Sequence, residues 1–235
     1  MRTVEQINNI KKTFSRPYTI NCLDSEELKH LINIYDSADN KNNPKVYKNT
    51  GPVTLNISPY LDDPIIEKIL KTIENQIGTF EITAGFFFNT HIPHIIHNDD
   101  TYELPDTVYK GITIPLRLNG NVDNIYPKLC FFDQYYFHGP AKFFKGEPHM
   151  ESYFNKPLYS YEQVENLVDD KMVYDEKLFG HLRPRWLEGL SLAECIDWIP
   201  GSIIIFDSLQ LHCASDFRKL GFTSKTAISI FTKKI

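Results

Sequence analysis

The segment Trp198-Ile-Pro-Gly-Ser-Ile-Ile-Ile-Phe-Asp-Ser-Leu-Gln-Leu-His212 reads as a tight Pro-Gly turn, a short apolar strand, a second turn, and a second strand ending on a histidine. A continuous apolar run bounded by turn residues fits a strand buried on both faces. The last strand of the chain, Lys225–Thr232, alternates instead. Lys225, Ala227, Ser229 and Phe231 share one face; Thr226, Ile228, Ile230 and Thr232 share the other. A lysine on an inward face with alanine and serine needs an opposite charge nearby.

Working back toward the amino terminus, Thr79–Thr90, Ile92–Asn98, Lys110–Leu118, Leu129–Phe137 and Ala141–Phe144 are predicted strands, rich in Phe, Ile, Thr and Tyr. Turn clusters separate them at Asn98-Asp99-Asp100, Asn119-Gly120-Asn121 and Gly139-Pro140. Two helices are predicted before residue 78. Asp24 and Ser25 cap one that runs to about Asp36, and Asp63-Pro64 opens another that stops at Gly78. Residues 158–196 are predicted helical from the capping patterns Ser160-x-x-Gln163 and Ser191-x-x-Glu194.

The order is helices, strands, a helical insert, then strands. Nothing alternates as βαβ, and no glycine-rich phosphate loop is present. The predicted class is mainly β with flanking helices, a barrel or jelly roll. One domain is expected, with a helical flank over 1–78, the β core over 79–157 and 198–235, and the insert over 158–197.

Composition narrows the function classes. The 235 residues are 42% apolar and 23% charged, which excludes a disordered chain or a fibre. Twenty-five basic and 30 acidic side chains give a net charge of −5, so nucleic acid is not indicated. No run of about 18 apolar residues is long enough for a membrane. The first residues lack the apolar centre of a signal peptide, so a cytoplasmic protein is expected. Four cysteines without a C-x-x-C pair read as reduced, mostly buried thiols.

The histidines carry the chemistry. On a strand, residues i and i+2 face the same way, so His97 and Asp99 point together. His212 supplies a third ligand from the distal strand. Two histidines and one carboxylate on one face of a metal leave three positions open, the ligand set of non-haem Fe(II) oxygenases. His149-Met150-Glu151 is a weaker rival, and His94 faces away from His97 if the segment is extended.

His97-Asn98-Asp99, the Pro200–Asp207 strand before His212, and Lys225-Thr-Ala-Ile-Ser229 together resemble the 2-oxoglutarate- and Fe(II)-dependent dioxygenase superfamily, over roughly two thirds of the chain. The resemblance implies a double-stranded β-helix core and three cofactors or cosubstrates: Fe(II), 2-oxoglutarate and dioxygen. It implies metal ligation and catalysis by His97, Asp99 and His212. Lys225 and Ser229 fall where the cosubstrate's far carboxylate is held, with Arg218 as the fallback cation. The implied reaction couples 2-oxoglutarate decarboxylation to C–H oxidation, most simply hydroxylation, of a small-molecule or amino-acid-type substrate. The alternatives are a metal-binding cupin-like protein without oxygenase activity and a zinc hydrolase on the same ligands. Lysine replaces the commoner arginine, and Ala227 stands where a serine often follows it.

Overall fold

The structure is a computed structural model that describes residues 2–39, 53–100, 108–120, 125–141, 164–169, 172 and 174–235. Two antiparallel sheets face one another. The larger has the order β1 (Tyr18–Asn21), β8 (Ser202–Asp207), β4 (Val108–Gly120), β10 (Phe222–Lys234), β3 (Phe80–Thr90), β2 (Val53–Asn56). In the smaller, β5 (Lys128–Tyr136) pairs along one edge with β7 (Leu192–Asp197) and the two-residue β6 (Val164–Glu165). Its other edge pairs with β9 (Gln210–Ala214).

Strand alternation sorts the core into layers. Ile203 and Ile205 of β8, Ile228 and Ile230 of β10, and Ile112 and Ile114 of β4 belong to an outer layer, covered by helices. Ile204, Phe206 and Ala227 turn inward, in a cluster with Leu129, Phe131, Ile196 and Trp198 of the smaller sheet. The Ser202–Asp207 strand is therefore buried along its whole length, as its uninterrupted apolar run predicts.

The covering helices start where their caps dictate. In α2 (Ser25–Ser37) the Asp24 carboxylate accepts from the backbone of Glu26 and Glu27, and Glu27 reaches back to the Asp24 N–H. In α3 (Pro64–Ile77) Asp63 caps the first turn, and Gly78 ends the helix at φ 78°. Ile66, Ile69 and Ile73 of α3 are buried, each stabilising by about 1.5–3 kcal/mol relative to exposure. The short helix α1 (Val4–Lys11), capped by Thr3 and Gln6, was not evident in the sequence, nor were β1 and β2. Gly201 lets β1 approach: its carbonyl accepts from Cys22 and Leu23, and a Cβ there would stand 2.8 Å from the Leu23 carbonyl.

Two expected elements differ. Ile92–Asn98 is not a strand; only His97 pairs, in a single bridge, and Pro93 has no N–H to offer a ladder. The described part of the expected helical insert contains β6, a four-residue helix α4 (Glu176–Phe179), a 3-10 turn at Pro184–Leu187, and β7. Ser191 is not a helix cap: its N–H donates to Gln134 and its hydroxyl to Asp133, tying the start of β7 to β5. This segment still covers a sheet, as Phe179, Leu182, Trp186 and Leu190 pack in one cluster with Cys130, Phe132, Leu211 and Cys213. Ser160, Gln163 and most of Ala141–Phe144 lie outside the described residues.

Candidate metal centre

His97 and His212 face each other across the bridge. Each donates its backbone N–H to the other's carbonyl, at 2.9 and 2.8 Å. This reciprocal pair sets the two imidazoles side by side, with ring centroids 4.3 Å apart. Both rings are oriented by their own backbone. His97 Nδ1 donates to the Ile95 carbonyl at 2.7 Å, and His212 Nδ1 to the Gln210 carbonyl at 2.9 Å. In the neutral ring this leaves the lone pair on Nε2.

Both Nε2 atoms lie near Asp99. His97 Nε2 is 3.5 Å from Oδ1, and His212 Nε2 is 3.6 Å from Oδ2. One ligand atom from each of the three residues falls within 4.8 Å of the others, the one such group among the described residues. Burial pushes the Asp99 carboxyl above the ordinary carboxylate range, against the pull of His212. Two imidazole lone pairs and one desolvated carboxylate fit a divalent transition metal, which would restore the carboxylate's charge.

The irregular segment that carries these ligands is held by the residues between them. The Asn98 side chain donates to the carbonyls of Tyr136 and Gly139 and accepts from the Ala141 N–H. Asp100 is buried in a two-pronged ion pair with Arg2, at 2.5 and 2.8 Å, and Arg2 also donates to the Phe137 carbonyl. The Asp99 N–H donates to the Ser208 carbonyl at 2.7 Å. Gly111 leaves room for the carboxylate: a Cβ there would be 2.6 Å from the Phe206 ring and 3.1 Å from Asp99 Oδ2. Arg2, Asp100 and Gly111 carry no sequence signal for this role, because their partners lie far along the chain.

Lys225 is buried in the inner layer at 5% exposure. Its ammonium lies 5.1 Å from the Trp198 ring centroid and 5.7 Å from that of Phe217. Among the described residues no carboxylate pairs with it, and burial lowers its pKa to about 8. Arg218, the fallback cation, is half-exposed, with its Nε 3.5 Å from Asp216 Oδ1. Ser229 lies on the Lys225 face of β10, half-buried, opposite Phe86 and Thr113.

His94 stacks on Phe88 and meets His97 edge-on at 5.5 Å; without a regular strand the two are not kept on opposite faces. His181 Nε2 donates to the His94 carbonyl at 3.2 Å, and burial lowers the pKa of the ring to about 4. Arg117 makes a two-pronged pair with Asp36 of α2, at 2.7 and 3.0 Å. A bulge in β4 opposite Thr226 and Ala227 turns it toward the helices. Phe131 is core, with its ring against His212 and Phe206. His149 and Glu151 lie outside the described residues.

No protein-family model matches the chain, and no curated protein matches it. Solved structures do. The non-heme alpha ketoglutarate dependent epimerase SnoN from nogalamycin biosynthesis superposes with a TM-score of 0.54 at 10% identity, over 98% of this chain and 82% of that one. SnoN in complex with Fe3+, alpha ketoglutarate and nogalamycin RO gives 0.53, also at 10% identity, over 98% and 83%. The alpha ketoglutarate dependent carbocyclase SnoK gives 0.53 at 9% identity, over 99% and 84%. The chain shares the fold of these alpha ketoglutarate dependent proteins. Within this fold, His97 and Asp99 lie beside the smaller sheet and Lys225 lies near the start of β10 in the larger one. The candidate metal group and the Lys225 ammonium thus share the interior between the sheets, around Phe131, Phe206 and Trp198.

Proposed function

We propose that the protein is an Fe(II)- and 2-oxoglutarate-dependent oxygenase, most simply a hydroxylase. The observation that supports it is the pairing of a three-ligand metal group with a buried ammonium that has no counter-ion among the described residues. A three-ligand site alone suits several metalloproteins. A desolvated lysine in the same interior is costly unless a bound anion compensates. A dicarboxylate that reaches from the metal to Lys225 fits both.

In this reading His97, Asp99 and His212 hold the iron, each imidazole through Nε2. Iron with 2-oxoglutarate and dioxygen supplies the decarboxylation and C–H oxidation. The chain's own contribution is placement. The backbone carbonyls of Ile95 and Gln210 fix the ring tautomers. Phe131 and Phe206 flank His212 and keep water from its ring, with centroids at 5.7 and 4.7 Å. Lys225 holds the far carboxylate, with Ser229 on the same face as a further polar contact.

SnoN and SnoK are named for reactions in nogalamycin biosynthesis, which favours a small-molecule substrate here as well. Among the described residues no helix is long and apolar enough to cross a membrane. Four free cysteines suit a reducing cytoplasm.

The direct assay is succinate release from 2-oxoglutarate under air. Turnover that needs Fe(II) and is lost in His97→Ala is expected. Activity with zinc that ignores oxygen would replace this reading with a hydrolase.

A further inference from the structure

The smaller sheet carries three of the four cysteines in one row. Cys130 of β5 stands opposite Cys195 of β7 on one side and opposite Cys213 of β9 on the other. Cys130 and Cys213 are fully buried in one cluster with Phe179, Leu182 and Trp186, and Cys195 is half-buried against it. The neighbouring residues Glu194, Phe131 and His212 form a parallel row on the other face of the sheet. The thiols therefore lie across the sheet from the metal group.

The Cys195 thiol donates to Cys130 Sγ at 3.3 Å. Residues directly opposite in an antiparallel pair have Cα atoms about 4.5–5.5 Å apart, within the span of about 4.4–6.8 Å that a disulfide bridges. The two sulfurs need only close to about 2.05 Å, by side-chain rotation. Cys213 is also in register with Cys130, but it is fully buried, so a dissolved oxidant meets Cys195 first.

We propose that Cys130 and Cys195 are a reversible oxidation site, converted by a peroxide into a disulfide that clamps β7 to β5. The Cys195 sulfur attacks one oxygen of hydrogen peroxide. The O–O bond breaks, and the leaving hydroxide takes the thiol proton as water, giving a sulfenic acid. The Cys130 sulfur then attacks the Cys195 sulfur, the S–O bond breaks, and a second water leaves with the Cys130 proton. Two thiols together lose two electrons, and one peroxide becomes two waters. The hydrogen bond to Cys130 and burial hold the Cys195 thiol above its ordinary pKa, so the reaction is slow at neutral pH and answers to sustained peroxide. The bond joins residues 65 positions apart and so constrains the unfolded chain. This site and the oxygenase reading do not depend on each other.

The test uses the zinc-loaded protein, because zinc has no redox chemistry of its own. The protein is incubated with excess hydrogen peroxide, its remaining thiols are alkylated, and it is mapped by mass spectrometry without reduction. Two of the four thiols are expected to disappear into a Cys130–Cys195 link that dithiothreitol reverses. Cys213→Ser is expected to form the same link, and Cys195→Ser to form none. The oxidised wild type is expected to melt about 5–15 °C above the reduced protein, a gain absent in Cys195→Ser. A Cys130–Cys213 link, a link between two chains, sulfinic acid without a link, or four intact thiols overturns the proposal. The expected link without a rise in Tm overturns the clamp.

Discussion

Among the described residues two lysines, Lys110 and Lys225, are buried, and their surroundings are opposite. Lys110, at 2% exposure, is surrounded by oxygens. It pairs with Asp207, its cross-strand partner in register, and donates to the Thr13 carbonyl and the Ser15 hydroxyl, both at 2.9 Å. Asp207 in turn accepts from the Ser15 N–H and the Tyr135 hydroxyl. Lys225, at 5% exposure, has two aromatic rings and no oxygen among the described residues. The first lysine ties the chain leading into β1 onto the larger sheet. The second makes no tie of that kind among the described residues, and in the proposed function its charge faces the bound carboxylate.

The contrast can be broken by substitution. Lys110→Met strands the Asp207 carboxylate in the core, and loss of one partner from a buried pair costs about 3–5 kcal/mol. At this chain length that corresponds to a fall in Tm of about 6–20 °C by calorimetry. Lys225→Met removes a charge that has no partner to strand. Its Tm at pH 7 is expected to equal or exceed that of the wild type. Its requirement for 2-oxoglutarate is expected to rise by about 10–100-fold, the loss of an ion pair of about 1.5–3 kcal/mol. Similar drops in Tm for the two variants would erase the distinction.

A pH profile sharpens the comparison further. The Lys225 pKa is lowered from 10.5 to about 8 by burial, with Cys213 and Cys130 as the acidic groups acting on it. Below about pH 8 the lysine is charged in both folded and unfolded chains, and the full burial penalty is present. Between about 8 and 10.5 the unfolded chain holds the extra proton, so this group's contribution to stability rises with pH. A carboxylate needs the ammonium form, so 2-oxoglutarate affinity should fall as pH rises through 8. The decline approaches about tenfold per pH unit and is absent in Lys225→Met. A flat wild-type profile across pH 7.5–9.5 would place the carboxylate elsewhere.

Much of this was legible from local pattern. The apolar run before His212 and the inward Lys225 follow from strand periodicity and turn residues, which are local. What was not legible depends on contacts between distant residues. Arg2 meets Asp100 across 98 positions, and Gly111 matters only because Phe206 and Asp99 converge on it. The capping pattern at Ser191 misleads because its side chain is drawn to Asp133, where β7 pairs with β5. Strand alternation, which points His97 and Asp99 the same way, does not apply to this segment, which forms no strand. These two residues converge instead through the single bridge to His212 and the side-chain ties of Asn98 and Asp100.

The smallest change that probes the centre itself is Asp99→Ala, read by anaerobic equilibrium dialysis of Fe(II). One ion per chain is expected for the wild type and essentially none for the variant. An unchanged stoichiometry in Asp99→Ala, or no bound iron in the wild type, would contradict a metal centre built from His97, Asp99 and His212.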